Sequence, residues 1–360
     1  MKINFVLPFT NPTGGIRVVY EYANHLTEKG HDVVCYVPLF SYKFNNSGLK
    51  GLYKRIKSSI GNLYKYNRDQ HKQYVKCTIK FIPIISNLYV RKADITIATA
   101  WPTAHSINKM RDKAGEKVYF IQHYETWSGP EEDVDASYKL NLHKITIAKW
   151  LKELMEEKFN SFNVQIVHNG NDLIIPTDRL KKYNSPLKFL LMYNSLEWKG
   201  FKEGIKAFEL VREKYPEIKL TIFGSEVSDD VPKYAEFVYN PTRTQLKELY
   251  FNSDIYIFPS KFEGWGLTVI EAMACKCAVV GTQVGAMEDF GIHKKTAMIS
   301  EPNDFKKMAD NIEELLCSHE LLDEITDNAY NLAIQLDWRA AGDKFEKVIQ
   351  SYASNQGFEK

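Results

Sequence analysis

The sequence predicts an α/β protein made of two doubly wound parallel-sheet domains, and three observations carry that prediction. Its 360 residues, 44% hydrophobic and 26% charged, have an ordinary globular balance and suit two domains at roughly 100–200 residues each. The chain opens with strand, glycine-containing loop, helix and strand, the first unit of a parallel sheet. After an interruption over residues 170–187, the same alternation restarts.

Taken in order, KINFVLPF reads as a buried strand ended by Pro8, and TNPTGG as a turn-rich connection. Ile16, Val19, Tyr22, Ala23 and Leu26 then recur at helical spacing until Gly30 supplies a stop, and HDVVCYVP is the second strand. Further strands are expected over 93–100 and 117–122, with a helix over 148–159. The stretch GNDLIIPTDRLKKYNSPL has two prolines and no periodicity, which places the domain boundary there. Strand KFLLMYN, a helix over 201–214, strand KLTIFG, a helix over 242–251, strand IYIFPS, a helix over 267–274 and strand AVVGT follow. Residues 304–352 read as three helices. Two such sheets bind ligands at the carboxyl ends of their strands, and a deep cleft between the domains is expected there.

Composition excludes disorder, collagen and repeat classes. No apolar run reaches the ~18–20 residues of a membrane span, and MKINFVLPFT reads as a first strand and not as a signal peptide. Five cysteines, an odd number without framework spacing, fit a reduced compartment, so a cytoplasmic location is expected. Cys275 and Cys277 lack the second Cys or His pair of a zinc site, and no metal is expected. Net charge is +2 but unevenly placed: residues 41–80 hold ten Lys/Arg against Asp69, a local +9, which leaves −7 on the remainder. Within that stretch Leu49, Leu52, Tyr53, Ile56, Ile60, Leu63 and Tyr64 form one helical stripe with Lys50, Lys54, Arg55 and Lys57 off it. Such a basic amphipathic helix suits an anionic membrane surface or an anionic polymer, or else lies solvated over the first core; no nucleic-acid reader motif accompanies it.

The sharpest chemical signal is FPSKFEGWGLTVIEAMACKCAVVGT. A buried strand ends at Ser260, a loop carries Glu263, Gly264 and Gly266, and a helix starts near Leu267. Free N–H groups at Leu267 and Thr268 would make an anion site, and glycines let a phosphate approach closely. Glu271 lies one turn into that helix while Glu263 precedes it, so the two acids can face one ligand from two sides. Upstream, Lys199-Gly200 follows a strand, where a lysine can neutralise a diphosphate as a point charge. Gly14-Gly15 is neither a dinucleotide fingerprint nor a P-loop. His123 ends strand VYFIQ, where an imidazole could bond a sugar hydroxyl or carry charge. Asp133-Val134-Asp135 matches a cation-binding D-x-D, but it follows the polar SGPEE and reads as a coincidence on a loop.

Together these residues resemble a retaining glycosyltransferase of family 4, over essentially the whole chain. Gly14-Gly15 with Gly30-His31-Asp32-Val33 matches the family's first loop and G-H-x-V, Glu263 through Glu271 its E-x7-E motif, and Asn169-Gly170-Asn171-Asp172 its N-G-x-D at the domain crossing. The stretches around AWPTA, YFIQHYETW and ITIAKWL are similar to a subset that builds surface polysaccharides, some of them rhamnosyltransferases. The resemblance implies the GT-B fold: a Rossmann-like acceptor domain over 1–172, rejoined by a C-terminal helix over about 338–360, and a nucleotide-sugar domain over 187–337. It implies that Glu271 holds the ribose hydroxyls, that Glu263 contacts the donor sugar, and that His123 touches the sugar or leaving phosphate. Gly15, Lys199 and the amides around Gly266, Leu267 and Thr268 would bind the diphosphate. Where the family carries an arginine beside the diphosphate this chain has Asn194, for which Arg17 or Lys261 could substitute, and Lys276 replaces a glycine at the helix end. The implied reaction is metal-independent hexose transfer with retention, from a UDP-hexose or dTDP-rhamnose type donor to a glycan, polymer or lipid-linked acceptor, on the inner face of the cell membrane. A non-catalytic nucleotide-sugar- or glycan-binding partner subunit, or a sugar-nucleotide epimerase, are the alternatives.

Overall fold

The computed structural model describes residues 1–11, 13–40, 42, 57, 60–61 and 75–354. Contacts divide it into two compact units, Met1–Asn169 with Trp338–Lys360, and Gly170–Asp337.

In the first unit the chain runs β1 (Lys2–Val6), α1 (Gly14–Glu28), β2 (Asp32–Pro38), β3 (Thr78–Ile82), β4 (Ile95–Ala98), α2 (Trp101–Asn108), β5 (Glu116–Ile121), α3 (Glu131–Tyr138), β6 (His143–Thr146), α4 (Lys149–Phe159) and β7 (Gln165–Ile166). The sheet order is β3-β2-β1-β4-β5-β6-β7, all parallel, with Val6 opposite Tyr36 on one side and Ala98 on the other. Strand order reverses between β1 and β4, the point where such sheets open a crevice at their carboxyl ends. Helix α1 starts at Gly14 and not after the glycine pair, because the Thr13 hydroxyl caps it by accepting the Ile16 N–H at 3.4 Å. Asp133-Val134-Asp135 lies within helix α3 and not on a loop. Glu131, Glu132 and Asp133 complement the first turn's dipole, and Val134 and Tyr138 are buried.

The second unit runs β8 (Lys188–Met192), α5 (Phe201–Lys214), β9 (Lys219–Gly224), β10 (Glu236–Tyr239), α6 (Arg243–Asn252), β11 (Ile255–Phe258), α7 (Leu267–Ala274), β12 (Ala278–Thr282), α8 (Ala286–Phe290), β13 (Met298–Ser300), α9 (Phe305–Cys317) and α10 (His319–Ala333). Its sheet, β10-β9-β8-β11-β12-β13, is again all parallel and reverses between β8 and β11. Phe189, Leu190 and Leu191 are fully buried, which is why this strand reads as a continuous apolar run and not as an alternation. Helix α5 lays Phe201, Ala207, Phe208 and Val211 on that sheet at helical spacing. A Thr242–Gln245 capping box starts α6 one residue later than the periodicity alone places it.

The final helix, α11 (Trp338–Ser354), belongs to the first unit. Phe345 stacks on Tyr22 at 4.5 Å and meets Phe120 edge-on at 5.3 Å, while His25 Nε2 and His31 Nε2 lie 3.0 and 2.7 Å from Asp343 and Glu346. Residues Gly170–Asp172 go with the second unit and not the first, since Asn171 bridges to Asp337 and Asp172 pairs with Arg243. Lys50, Lys54 and Arg55 lie outside the described residues; Lys57 is helical and exposed. Among the described residues no helix is long and apolar enough to cross a membrane.

Candidate functional site

In the second unit the reversal point gathers the segments that follow β8 and β11. After β8 the Asn194 side-chain carbonyl accepts the Leu196 N–H at 3.0 Å, so this residue shapes its own turn. A 3-10 turn over Glu197–Lys199 then ends at Gly200, whose φ is +67°. A Cβ there would stand 1.9 Å from the Pro259 carbonyl oxygen, so only glycine lets this turn lie against the end of β11. The approach delivers Lys199, whose Nζ donates to Glu263 Oε1 at 2.7 Å. Ser260 donates its hydroxyl to the same oxygen at 2.9 Å, and Thr282 Oγ1 donates to the Ser260 carbonyl. Lys199 and Glu263 are 21% and 8% exposed along their side chains, low enough for the pair to hold one geometry.

Gly266, at φ +83°, turns the chain into α7 and supplies no side-chain cap. The first N–H groups of α7, at Leu267 and Thr268, therefore form the start of a helix with positive dipole end and no local acceptor from the cap. One turn further in, Glu271 Oε1 accepts from Arg243 Nη1 at 2.7 Å, and Tyr250 OH lies 3.5 Å from Oε2. Arg243 also donates through Nη2 to Asp172. Burial pulls this guanidinium's pKa down, but the carboxylates of Glu271 and Asp172 more than offset it, so it stays charged. Lys261 Nζ lies 3.0 Å from Glu203 and 3.9 Å from Glu197.

In the first unit, Gly14 and Gly15 form the start of α1, and a Cβ on Gly15 would stand 3.5 Å from the Gln122 side chain. That places the helix start beside the end of β5. His123 follows, its ring edge-on to Trp127 at 4.3 Å and to Trp150 at 6.0 Å. Arg17 Nε sits 3.7 Å from Glu21. Glu125 Oε2 accepts the Trp101 N–H at 2.8 Å, Tyr138 OH donates to the His123 carbonyl at 3.1 Å, and Trp101 Nε1 donates to Ser128 at 2.9 Å. The loop carrying His123 is thereby tied to the start of α2.

Burial pushes the Glu125 carboxyl up to about 7, against the pull of the Trp101 N–H. With the folded pKa above the unfolded one, the native state holds the extra proton between about 4.5 and 7. Its stability contribution is complete below that window and is lost as pH rises through it. Glu125→Gln, which keeps a neutral side chain, is expected to flatten the fall in melting temperature between pH 5 and 8; equal slopes in both proteins would refute the assignment.

Arg243 and Tyr250 had no motif to mark them, and the stretches that contain Ser260, Trp101 and Glu125 did not signal the Ser260–Glu263 or Trp101–Glu125 bonds. The one available signal was electrostatic: an arginine at the first position of α6 opposes the helix dipole unless acids from elsewhere hold it.

The Lys199–Glu263 and Arg243–Glu271 pairs stand at the carboxyl end of the second sheet. Residues 177–332 match the family of glycosyl transferases group 1. Both ion pairs fall inside the matched segment. The chain is 28% identical over 195 residues to an uncharacterized glycosyltransferase of Haemophilus influenzae, covering 51% of this chain and 54% of that protein. It is 32% identical over 139 residues to the capsular polysaccharide biosynthesis glycosyltransferase CapM of Staphylococcus aureus, covering 36% and 37%. It thus spans about half, or less, of the length of these relatives. Among solved structures, Anabaena HepE in complex with UDP-glucose superposes with a TM-score of 0.74 at 13% identity, over 98% of this chain and 100% of that one. This is the GT-B fold, with two Rossmann-like parallel-sheet domains.

Proposed function

We propose that this chain is a group 1 glycosyltransferase, metal-independent and retaining, that moves a hexose from a nucleotide-diphospho-sugar to a hydroxyl of a glycan, polymer or lipid-linked acceptor in surface polysaccharide synthesis. The observation that carries the reading is the Lys199–Glu263 pair beside the uncapped start of α7, within the matched segment. The diphosphate lies against Lys199 and the Leu267 and Thr268 amides, Glu263 meets the sugar hydroxyls, and Glu271 holds the ribose.

In the reaction the bond from the anomeric carbon to the diphosphate oxygen breaks as the acceptor oxygen bonds to the same face. The acceptor proton passes to the departing phosphate. Negative charge grows on the diphosphate, and Lys199 with the helix start stabilises it electrostatically, leaving no step that calls for a cation cofactor. His123 contacts the donor sugar or the leaving phosphate. A non-catalytic nucleotide-sugar-binding role is the second reading. It is favoured by Asn194, whose carbonyl is used in its own turn, and by Arg17 and Lys261, which both sit beside acids.

A thermal-shift panel of UDP-, GDP-, ADP- and dTDP-sugars, with and without chelator, tests the reading. A ligand at about 100 times its Kd should add about 2.7 kcal/mol to the native state. A shift with one nucleotide that survives chelation, followed by transfer to an acceptor, is expected; a shift without turnover would favour the binding role, and no shift would refute both. The +9 segment over residues 41–80 supports cytoplasmic docking on an anionic membrane. Neutralising Lys50, Lys54, Arg55 and Lys57 is then expected to weaken sedimentation with anionic liposomes, and unchanged sedimentation would exclude it.

A further inference from the structure

Arg243 opens α6, where the helix dipole disfavours a cation, yet it stands between two acids that belong to other segments. Asp172 comes from the stretch just after the domain crossing and Glu271 from α7. The Glu271 side chain is 6% exposed, and the hydroxyl of the fully buried Tyr250 lies 3.5 Å from its Oε2. Holding a carboxylate buried to that degree in one orientation calls for a partner with both charge and a fixed donor direction. Arginine supplies both: its guanidinium is planar, and with one nitrogen engaged by Asp172 the N–H directed at Glu271 cannot swing away. Lysine would supply the charge without the fixed direction.

We propose that Arg243 is the positioning residue through which Glu271 recognises ribose hydroxyls, so that the site's preference for a hydroxylated nucleotide sugar ring depends on Arg243 as much as on Glu271. The inference rests on the donor reading above, in which Glu271 accepts from the ribose. Hydroxyl donors bond well to a carboxylate whose oxygens are held in place. If Arg243 is lost, the Glu271 carboxylate loses the charged donor that fixes its direction, and its hold on the ring hydroxyls weakens with it.

Binding of uridine, guanosine, adenosine and deoxythymidine diphosphates is measured by calorimetry, each against its counterpart lacking the ring hydroxyls. For the nucleotide that binds, the full protein is expected to favour the hydroxylated form by about 10- to 100-fold, as for hydrogen bonds to a charged group. Arg243→Met and Glu271→Gln should each bring that ratio to within about threefold of unity, and the double variant should lose no more than either, the mark of residues acting as one unit. Arg243→Lys is expected to fall between, and it serves as the readout if Arg243→Met does not fold. Arg243→Met and Arg243→Lys both keeping the full ratio while Glu271→Gln abolishes it would overturn the proposal. So would an equal loss of affinity for both forms, which a merely structural role produces. Wild-type protein that binds none of the four diphosphates would instead refute the donor reading, and this inference with it.

Discussion

Replacing Lys199 by alanine is expected to lower glycosyl transfer by about 10²–10³, the usual effect of removing one donor aimed at developing charge. The loss should fall on kcat more than on KM, because the charge that Lys199 meets on the diphosphate is largest in the transition state. The same change leaves Glu263, 8% exposed along its side chain, with the Ser260 hydroxyl as its remaining donor among the described residues. Breaking a buried pair from one side costs about 3–5 kcal/mol in fully buried cases, and the 21% exposure of Lys199 puts this one below that range. Turnover and melting temperature should therefore be measured on Lys199→Ala and on Lys199→Ala with Glu263→Gln. Removing the stranded charge should restore stability without restoring turnover. Turnover that stays at the wild-type level in Lys199→Ala would remove Lys199 from the chemistry.

Gly200→Ala should be the most damaging single methyl group in the second unit. Its φ of +67° is already costly for alanine, and the added Cβ would sit 1.9 Å from the Pro259 oxygen, so backbone has to move on one side or the other. A cost of about 2–4 kcal/mol is expected, roughly a 5–15 °C fall in melting temperature for a unit of this size. Either movement displaces the site: one carries Lys199 away, the other carries Ser260 and with it Glu263. Gly14→Ala is the matched control for stability. A Cβ there meets nothing within 4 Å in a helical stretch, and the change should hold or raise the melting temperature. Equal melting temperatures for Gly200→Ala and wild type would show that the Lys199 turn does not depend on that close approach.

Much of the second unit was legible because buried parallel strands and amphipathic helices write themselves as local pattern. KFLLM, IYIF and AVVGT are short apolar runs bounded by turn residues, and the helices over 201–214 and 267–274 begin and end where their periodicity does. Elements with weak local pattern were not legible. Strand β10 lies at the sheet edge with both ends exposed and its two middle residues only half-buried, and α3 is a short acidic helix that reads as a polar loop until its Val134 and Tyr138 find a core. The return of α11 to the first unit depends on Phe345 meeting Tyr22 and Phe120, a contact more than 200 residues apart in the chain.

By itself the sequence determined the α/β class, the restart of the alternation after residue 187, and the acids, lysine and glycines that follow the strands of the second sheet. These follow from spacing along the chain, and spacing is a local property. Only the tertiary structure decided which groups meet: that Lys199 reaches Glu263, that Arg243 is the cation beside Glu271, and that Asn194 turns inward on its own loop. Charge pairs form between side chains whose backbones arrive together, and that arrival is set by strand order. The reversal between β8 and β11 brings positions 199 and 263 to one edge, and α6 packing beside α7 brings 243 to 271.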